Sequence, residues 1–193
     1  IDILKSYYLY GKESANPAAA KALLSKAGVE GAESIFSAMV RAGHWDANEN
    51  LDLYRYEIPT AFPEPVMEEV AALQARDRDF SSDPKRRDLT DLEVITIDGP
   101  GTMDFDDALS VEIRGKHLRI GVHISDVAER VKKGGMIDQE IISRGTSIYM
   151  PDRKIPMLPN GLAEDLCSLI QGQVRPAVSI FFTATSRAEI VDY

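Results

Sequence analysis

The spacing of apolar positions changes once along the chain, and the change divides it. From Pro17 to Gly28 a proline opens the run, alanines and leucines fill it and a glycine stops it, which predicts a helix. From Glu33 to Gly43 the apolar residues Ile35, Phe36, Met39 and Val40 recur at helical spacing and predict a second. Two short helices ended by Gly28 and Gly43 have the outline of a small helix-turn-helix or winged-helix unit; a helical adaptor without nucleic-acid contacts fits the same pattern. Residues 44–65 carry Pro59, Pro63 and Pro65 and are expected to be irregular. Residues 65–78 predict another helix, with Val66, Val70, Ala71 and Leu73 on one face. The stretch 76–88 is dense in charge and holds Ser-Ser-Asp-Pro, the expected linker. A helical module at 1–80 and a second domain at 81–193 follow.

Beyond the linker the period shifts to two. Leu92 to Ile97 is β-rich and ends at Asp98. Ala108 to Ile113 predicts a strand, Arg114-Gly115-Lys116 a turn, and His117 to Ser125 the returning strand of a hairpin. Leu118, Ile120, Val122 and Ile124 alternate onto one face, expected to be the core face, and His123 is expected to make a structural hydrogen bond. A helix over 137–143, a short strand reaching Tyr149 and an apolar strand over 177–185 complete the pattern. The fold class this predicts is α+β: a small helical, helix-turn-helix-like unit, then a mixed β-sheet with flanking helices.

Composition narrows the function classes. Hydrophobic residues make up 44% and charged residues 27%, a globular balance. No apolar run reaches the roughly 20 residues of a membrane span, and no signal-peptide pattern is present. The single cysteine, Cys167, cannot form an internal disulfide and sits in the apolar run Leu166-Cys167-Ser168-Leu169, so it is expected to be a small buried hydrophobe in a reducing, cytoplasmic protein. His44 has no Cys or His partner at metal spacing and is expected to be structural or superficial.

The net charge of −9 argues at first against a nucleic-acid partner. Its distribution weakens that argument. Residues 1–84 hold 8 Lys/Arg and 14 Asp/Glu, and residues 85–193 hold 14 and 17. Four of the later carboxylates, Asp98, Asp104, Asp106 and Asp107, lie within ten residues, around the tight Gly99-Pro100-Gly101 turn between two strands. Carboxylates that converge cannot all stay ionised without a cation, and hard oxygen donors with no His or Cys suit Mg²⁺ or Mn²⁺. A superficial acidic turn uses the same residue types. An EF-hand is excluded, because Leu109 stands where its glycine belongs and Gly115 where its glutamate belongs. No Walker loop is present.

Thr96-Ile97-Asp98 through Asp104-Phe105-Asp106-Asp107-Ala108 resembles the catalytic signature of the ribonuclease II/ribonuclease R family, the RNB domain. Arg87-Asp88-Leu89-Thr90 is similar to its lead-in, and Val122-His123-Ile124-Ser125-Asp126-Val127 resembles its next strand. Arg144-Gly145-Thr146-Ser147-Ile148-Tyr149, Ile155-Pro156-Met157-Leu158-Pro159, Leu166-Cys167-Ser168-Leu169 and Val174-Arg175-Pro176-Ala177 follow in the family's order, so the likeness covers about residues 87–185. The resemblance implies a magnesium-dependent hydrolytic exoribonuclease that degrades single-stranded RNA from its 3′ end to nucleoside 5′-monophosphates. It implies that Asp98, Asp104, Asp106 and Asp107 serve the metal, that Asp106 is the aspartate most directly tied to catalysis, and that Tyr149 stacks on a base near the 3′ end. Two such ions about 4 Å apart activate a water and stabilise the leaving oxygen of an in-line displacement.

The alternative is a catalytically inactive RNA-binding or regulatory homologue; loss of an aspartate would favour it, and all four are present. The cold-shock barrels that usually precede this domain have no counterpart in residues 1–80, which read as helical. The chain opens at Ile1 and stops at Tyr193, so it is expected to hold the opening part of the catalytic domain of a longer, monomeric protein.

Overall fold

In the computed structural model, all residues are described except 30, 77–79, 81–82 and the side chain at 32. The chain divides into two compact units, Ile1–Thr60 and Ala61–Tyr193.

The first unit is helical: α1 (Asp2–Tyr10), a 3₁₀ turn (Gly11–Glu13), α2 (Pro17–Lys26), α3 (Ala32–Arg41) and the single turn α4 (Asp52–Arg55). Pro17 stands at the start of α2, where a missing N–H costs nothing, and Gly28 and Gly43 adopt positive φ just beyond α2 and α3. Ile35, Met39 and Trp45 form the core, with Leu4, Tyr7, Tyr8 and Phe36 packed against them. Tyr8 meets the Trp45 ring edge-on at 5.3 Å. The sequence reading had no helix at the position of α1, although Leu4, Tyr7 and Tyr8 carry its spacing, and α4 interrupts a stretch expected to be irregular.

The second unit begins earlier than the expected boundary at 80/81. Helix α5 (Glu64–Gln74) buries Val66 and Val70 in one cluster with Val131, Ile137, Leu162, Leu166 and Cys167. Its apolar stripe therefore belongs to the second unit, and the break falls in the proline-rich stretch before it. Much of the expected linker lies outside the described residues. Within the rest, Arg86 pairs with Asp126 and Glu129, each at 2.8 Å. The cluster is completed by α6 (Met136–Arg144), capped by a left-handed Gly145, and by a π-helical turn at Gly161–Leu166. Cys167 is buried as expected, and burial pushes its thiol up to about 11.

The sheet runs β1 (Val94–Ile95), β2 (Asp107–Arg114), β3 (His117–Ser125), β6 (Ala177–Thr185) and β7 (Ile190–Asp192) in that spatial order. A separate ribbon pairs β4 (Ile148–Tyr149) with β5 (Lys154–Ile155). All these pairings are antiparallel, where a mixed sheet was expected. The reason is connectivity. β2 and β3 are joined by a tight turn at Gly115, and the long excursion after β3 returns at the end it left, so Ser125 faces Ala177.

The buried face of the sheet is the polar one. Ala108, Ser110, Gly121, His123 and Ser125 are buried, whereas Val111, Ile113, Ile124, Val178 and Ile180 are exposed, Ile113 by 80%. Leu118, Ile120, Val122 and Ile124 thus alternate as expected but onto the more open face. His123 bonds the hydroxyls of Ser179 (Nδ1, 2.8 Å) and Ser110 (Nε2, 2.9 Å), so one imidazole spans three strands. Phe181 meets it edge-on, and the Arg119 guanidinium lies 3.8 Å from the centroid of the same ring while bonding Glu112 at 2.6 Å. Gly121 makes room for this row: a Cβ there would stand 2.5 Å from Ser110 Oγ and 2.8 Å from both His123 Nε2 and Phe181 Cε1.

Burial holds the His123 imidazole below its ordinary pKa near 6.5. The unfolded chain then takes up a proton that the folded chain does not. The stabilising contribution is complete above about pH 6.5 and is lost as pH falls from there toward the folded value. Urea midpoints between pH 7.5 and 5.5 should fall more steeply in the unsubstituted protein than in His123→Gln. Parallel slopes would refute a neutral, buried imidazole.

Candidate active site

The acidic loop lies between β1 and β2, and the helical cluster holds it in place. Ser168 is fully buried. Its hydroxyl donates to the Met103 carbonyl at 2.8 Å and accepts from the Phe105 amide at 3.0 Å. Leu169 N–H donates to the Phe105 carbonyl at 2.8 Å, and Ser125 N–H to the Asp106 carbonyl at 2.9 Å. The Ser125 hydroxyl in turn donates to the Cys167 carbonyl. The backbone on both sides of Asp104 is therefore fixed to the 167–169 turn and to the end of β3.

From that frame Asp104 projects half-buried, Asp106 exposed, and Asp107 exposed at the first position of β2. Partial burial is the largest influence raising the Asp106 carboxyl above its ordinary pKa, and the charges of Asp107 and Asp104 push the same way. These three carboxyls thus share one electrostatic neighbourhood. Asp98 lies exposed before the Gly99-Pro100-Gly101 turn, and no described contact joins it to them. Among the described residues, no three Asp, Glu, His or Cys side chains stand close enough together to hold a metal ion as they are. The chemistry of the donors is nonetheless that of a hard cation site, carboxylate oxygen only, with the charges of Asp107 and Asp104 both acting on Asp106.

A cation of the chain itself meets the loop. The Lys154 ammonium pairs with the Asp104 carboxylate, and it lies 5.2 Å from the centroid of the Tyr149 ring. Tyr149 and Lys154 face each other across the β4–β5 ribbon, whose turn is closed by Met150 N–H on the Arg153 carbonyl at 2.9 Å. Tyr149 is 73% exposed. Sequence reasoning missed Lys154 and Ser168. The tight Pro151-Asp152 turn could have put Lys154 opposite Tyr149, and a lone hydroxyl in the apolar run 166–169 could have flagged Ser168. The remaining histidine set aside as structural or superficial, His44, is exposed in the first unit.

The matches to known proteins follow the same division. The RNB domain model matches residues 86–193, and a double HTH domain model matches residues 1–51. Ribonuclease R of Thermotoga maritima is 44% identical over 137 residues, which are 70% of this chain and 19% of that protein. The structure of Mycoplasma genitalium RNase R in complex with ribose methylated single-stranded RNA matches 72% of this chain and 22% of that one, with 30% identity and a TM-score of 0.67. An active-site mutant of the Dss1 exoribonuclease from Candida glabrata shares the fold over the whole chain, at 19% identity and a TM-score of 0.67. The chain spans about a fifth of the length of the curated relatives it matches.

Ser168→Ala removes a donor and an acceptor at once and leaves the half-buried Phe105 amide without its partner. The expected cost is about 1–3 kcal/mol of stability in urea unfolding, with faster hydrogen exchange at that amide. Unchanged exchange at Phe105 would show that the loop is held by something else.

Proposed function

This chain belongs to the RNB domain family, and from that premise we propose that it carries the metal-binding aspartates of a hydrolytic 3′-to-5′ exoribonuclease, a cytoplasmic monomer that degrades single-stranded RNA to nucleoside 5′-monophosphates. The observation that carries the reading is the acidic loop itself. The backbone on both sides of Asp104 is tied to the buried Ser168 hydroxyl, and the charges of Asp104 and Asp107 act on Asp106.

In this reading Asp104, Asp106 and Asp107, with Asp98 from the far side of the turn, would hold Mg²⁺ or Mn²⁺. The ion, when bound, would supply neutralisation of phosphate charge and a more acidic water. The chain's own part is orientation. Ser168, Leu169 and Ser125 keep the loop from relaxing away from its own charge. Asp106, whose carboxyl partial burial raises above its ordinary pKa, is the group assigned to position a water. The exposed Tyr149 ring offers a stacking surface indifferent to base identity, which suits an enzyme that must accept any sequence. The relative from Mycoplasma genitalium, seen with ribose methylated single-stranded RNA and with double-stranded RNA, supports RNA as the substrate class. No helix among the described residues is long and apolar enough to cross a membrane.

Asp106→Asn keeps size and shape but removes the charge. In the full protein it should lower single-turnover RNA hydrolysis at least about a hundredfold while leaving RNA binding nearly intact. Near-normal turnover would refute the assignment. Tyr149→Ala should weaken binding of a 3′-ended single-stranded oligonucleotide by about 1–3 kcal/mol, the usual worth of one stacked base, without loss of the folded state. Unchanged affinity in a filter-binding assay would make Tyr149 structural.

A further inference from the structure

Lys154 has two roles available in one position. Its register places it directly across the ribbon from Tyr149, and its ammonium reaches out of the ribbon to Asp104 in the acidic loop. No other contact in the described structure carries a positive side chain onto the aspartates of that loop. The two partners are matched in burial, with 28% of the Lys154 side chain and 29% of the Asp104 side chain exposed, so their pairing is shielded from solvent in part only.

The two ends of this ion pair differ in freedom. The backbone on either side of Asp104 is tied to the buried Ser168 hydroxyl, so Asp104 cannot leave by moving its loop. Lys154 sits on a long flexible stem in a two-residue strand. It also has a second resting place, the face of the Tyr149 ring. When another cation competes for Asp104, the lysine is the partner that moves.

We propose that Lys154 is a built-in cation of the acidic loop: it neutralises Asp104 and positions the Tyr149 ribbon beside it, and it must release Asp104 before a divalent ion can take that carboxylate. Lys154 is thus a positioning residue that sets metal affinity by competition. The inference rests on the metal-binding reading given above.

The test is Mn²⁺ binding by isothermal titration to the unsubstituted protein and to Lys154→Met, Lys154→Arg and Asp104→Asn, with a thermal melt of each. Removing the lysine charge should tighten Mn²⁺ binding roughly three- to tenfold, the scale of a partly exposed ion pair that no longer has to be broken. Lys154→Arg keeps the charge and should bind no more tightly than the unsubstituted protein. Asp104→Asn should bind more weakly. Tightening is the informative sign, because loss of a merely structural lysine would loosen the site and weaken the ion. Equal or weaker binding by Lys154→Met, with the unsubstituted protein still binding Mn²⁺, would overturn the role of Lys154 and leave the metal site standing. Absence of binding to every folded variant would overturn the metal reading, and the inference with it. Lys154→Gln serves the same comparison if the methionine variant does not fold.

Discussion

One buried hydroxyl carries the geometry of the acidic loop. Ser168 is both donor and acceptor to the backbone flanking Asp104, and it does so with no access to water. Both facts matter. Three neighbouring carboxyls push each other apart, and a loop held by solvent-exposed bonds could open to relieve that repulsion. Bonds to a fully buried hydroxyl resist, because breaking them would strand the serine without water to replace its partners. The neighbouring cysteine could not take this role, since a thiol is a weak donor and a weak acceptor. The serine therefore converts the packing of the helical cluster into a fixed position for Asp104 and Asp106.

The arrangement makes a division of labour visible within the second unit. The helices α5 and α6 and the π-helical turn bury their aliphatic side chains against one another. The sheet is joined to that cluster through Ser125, Asp126 and the acidic loop, whose partners are Cys167, Pro176, Ser168 and Leu169. Its buried face is a polar row centred on His123, while its aliphatic face is open, with Ile180 60% exposed. An aliphatic sheet face of that extent is the kind of surface that other polypeptide ordinarily covers. Hydrogen bonds across β2, β3 and β6, rather than apolar contact beneath them, give those strands their register.

Much of this was legible in the residues. Pro17, Gly28 and Gly43 mark helix limits because they act locally, through a missing donor and a permitted φ. The hairpin of β2 and β3 was legible for the same reason, from alternation and a glycine turn. What escaped was decided at long range. That α5 joins the second unit depends on Val66 and Val70 meeting Ile137 and Leu162, which no local pattern announces. Alternation correctly divided β3 into two faces, yet it could not tell which face is covered, because that depends on Ser110 and Ser179 being within reach of His123. The aspartates were legible as a cluster in sequence. That the charges of Asp104 and Asp107 both act on Asp106 was not, because it depends on how the loop between β1 and β2 is folded. Lys154 was missed for a related reason: an ion pair between residues fifty positions apart leaves no mark on either one's neighbours.

The remaining question is how so acidic a chain accommodates RNA, if the proposed activity holds. Net charge repels a polyanion at long range, and the acidic loop does so most strongly where the chemistry would occur. Attraction must then come from terms that do not depend on the sign of the charge, or from cations placed at the point of contact. In the proposed reading Tyr149 would supply the first, since stacking acts on the π-face of any base and survives in an acidic neighbourhood. Lys154 and a divalent ion would supply the second at the same carboxylate, one built in and one exchangeable. A residue that keeps Asp104 neutralised before the ion arrives lowers the cost of holding the loop closed. It also keeps that loop from being an unscreened negative patch. The same pairing that makes the acidic loop stable without metal therefore sets the price, in affinity, at which metal can enter it.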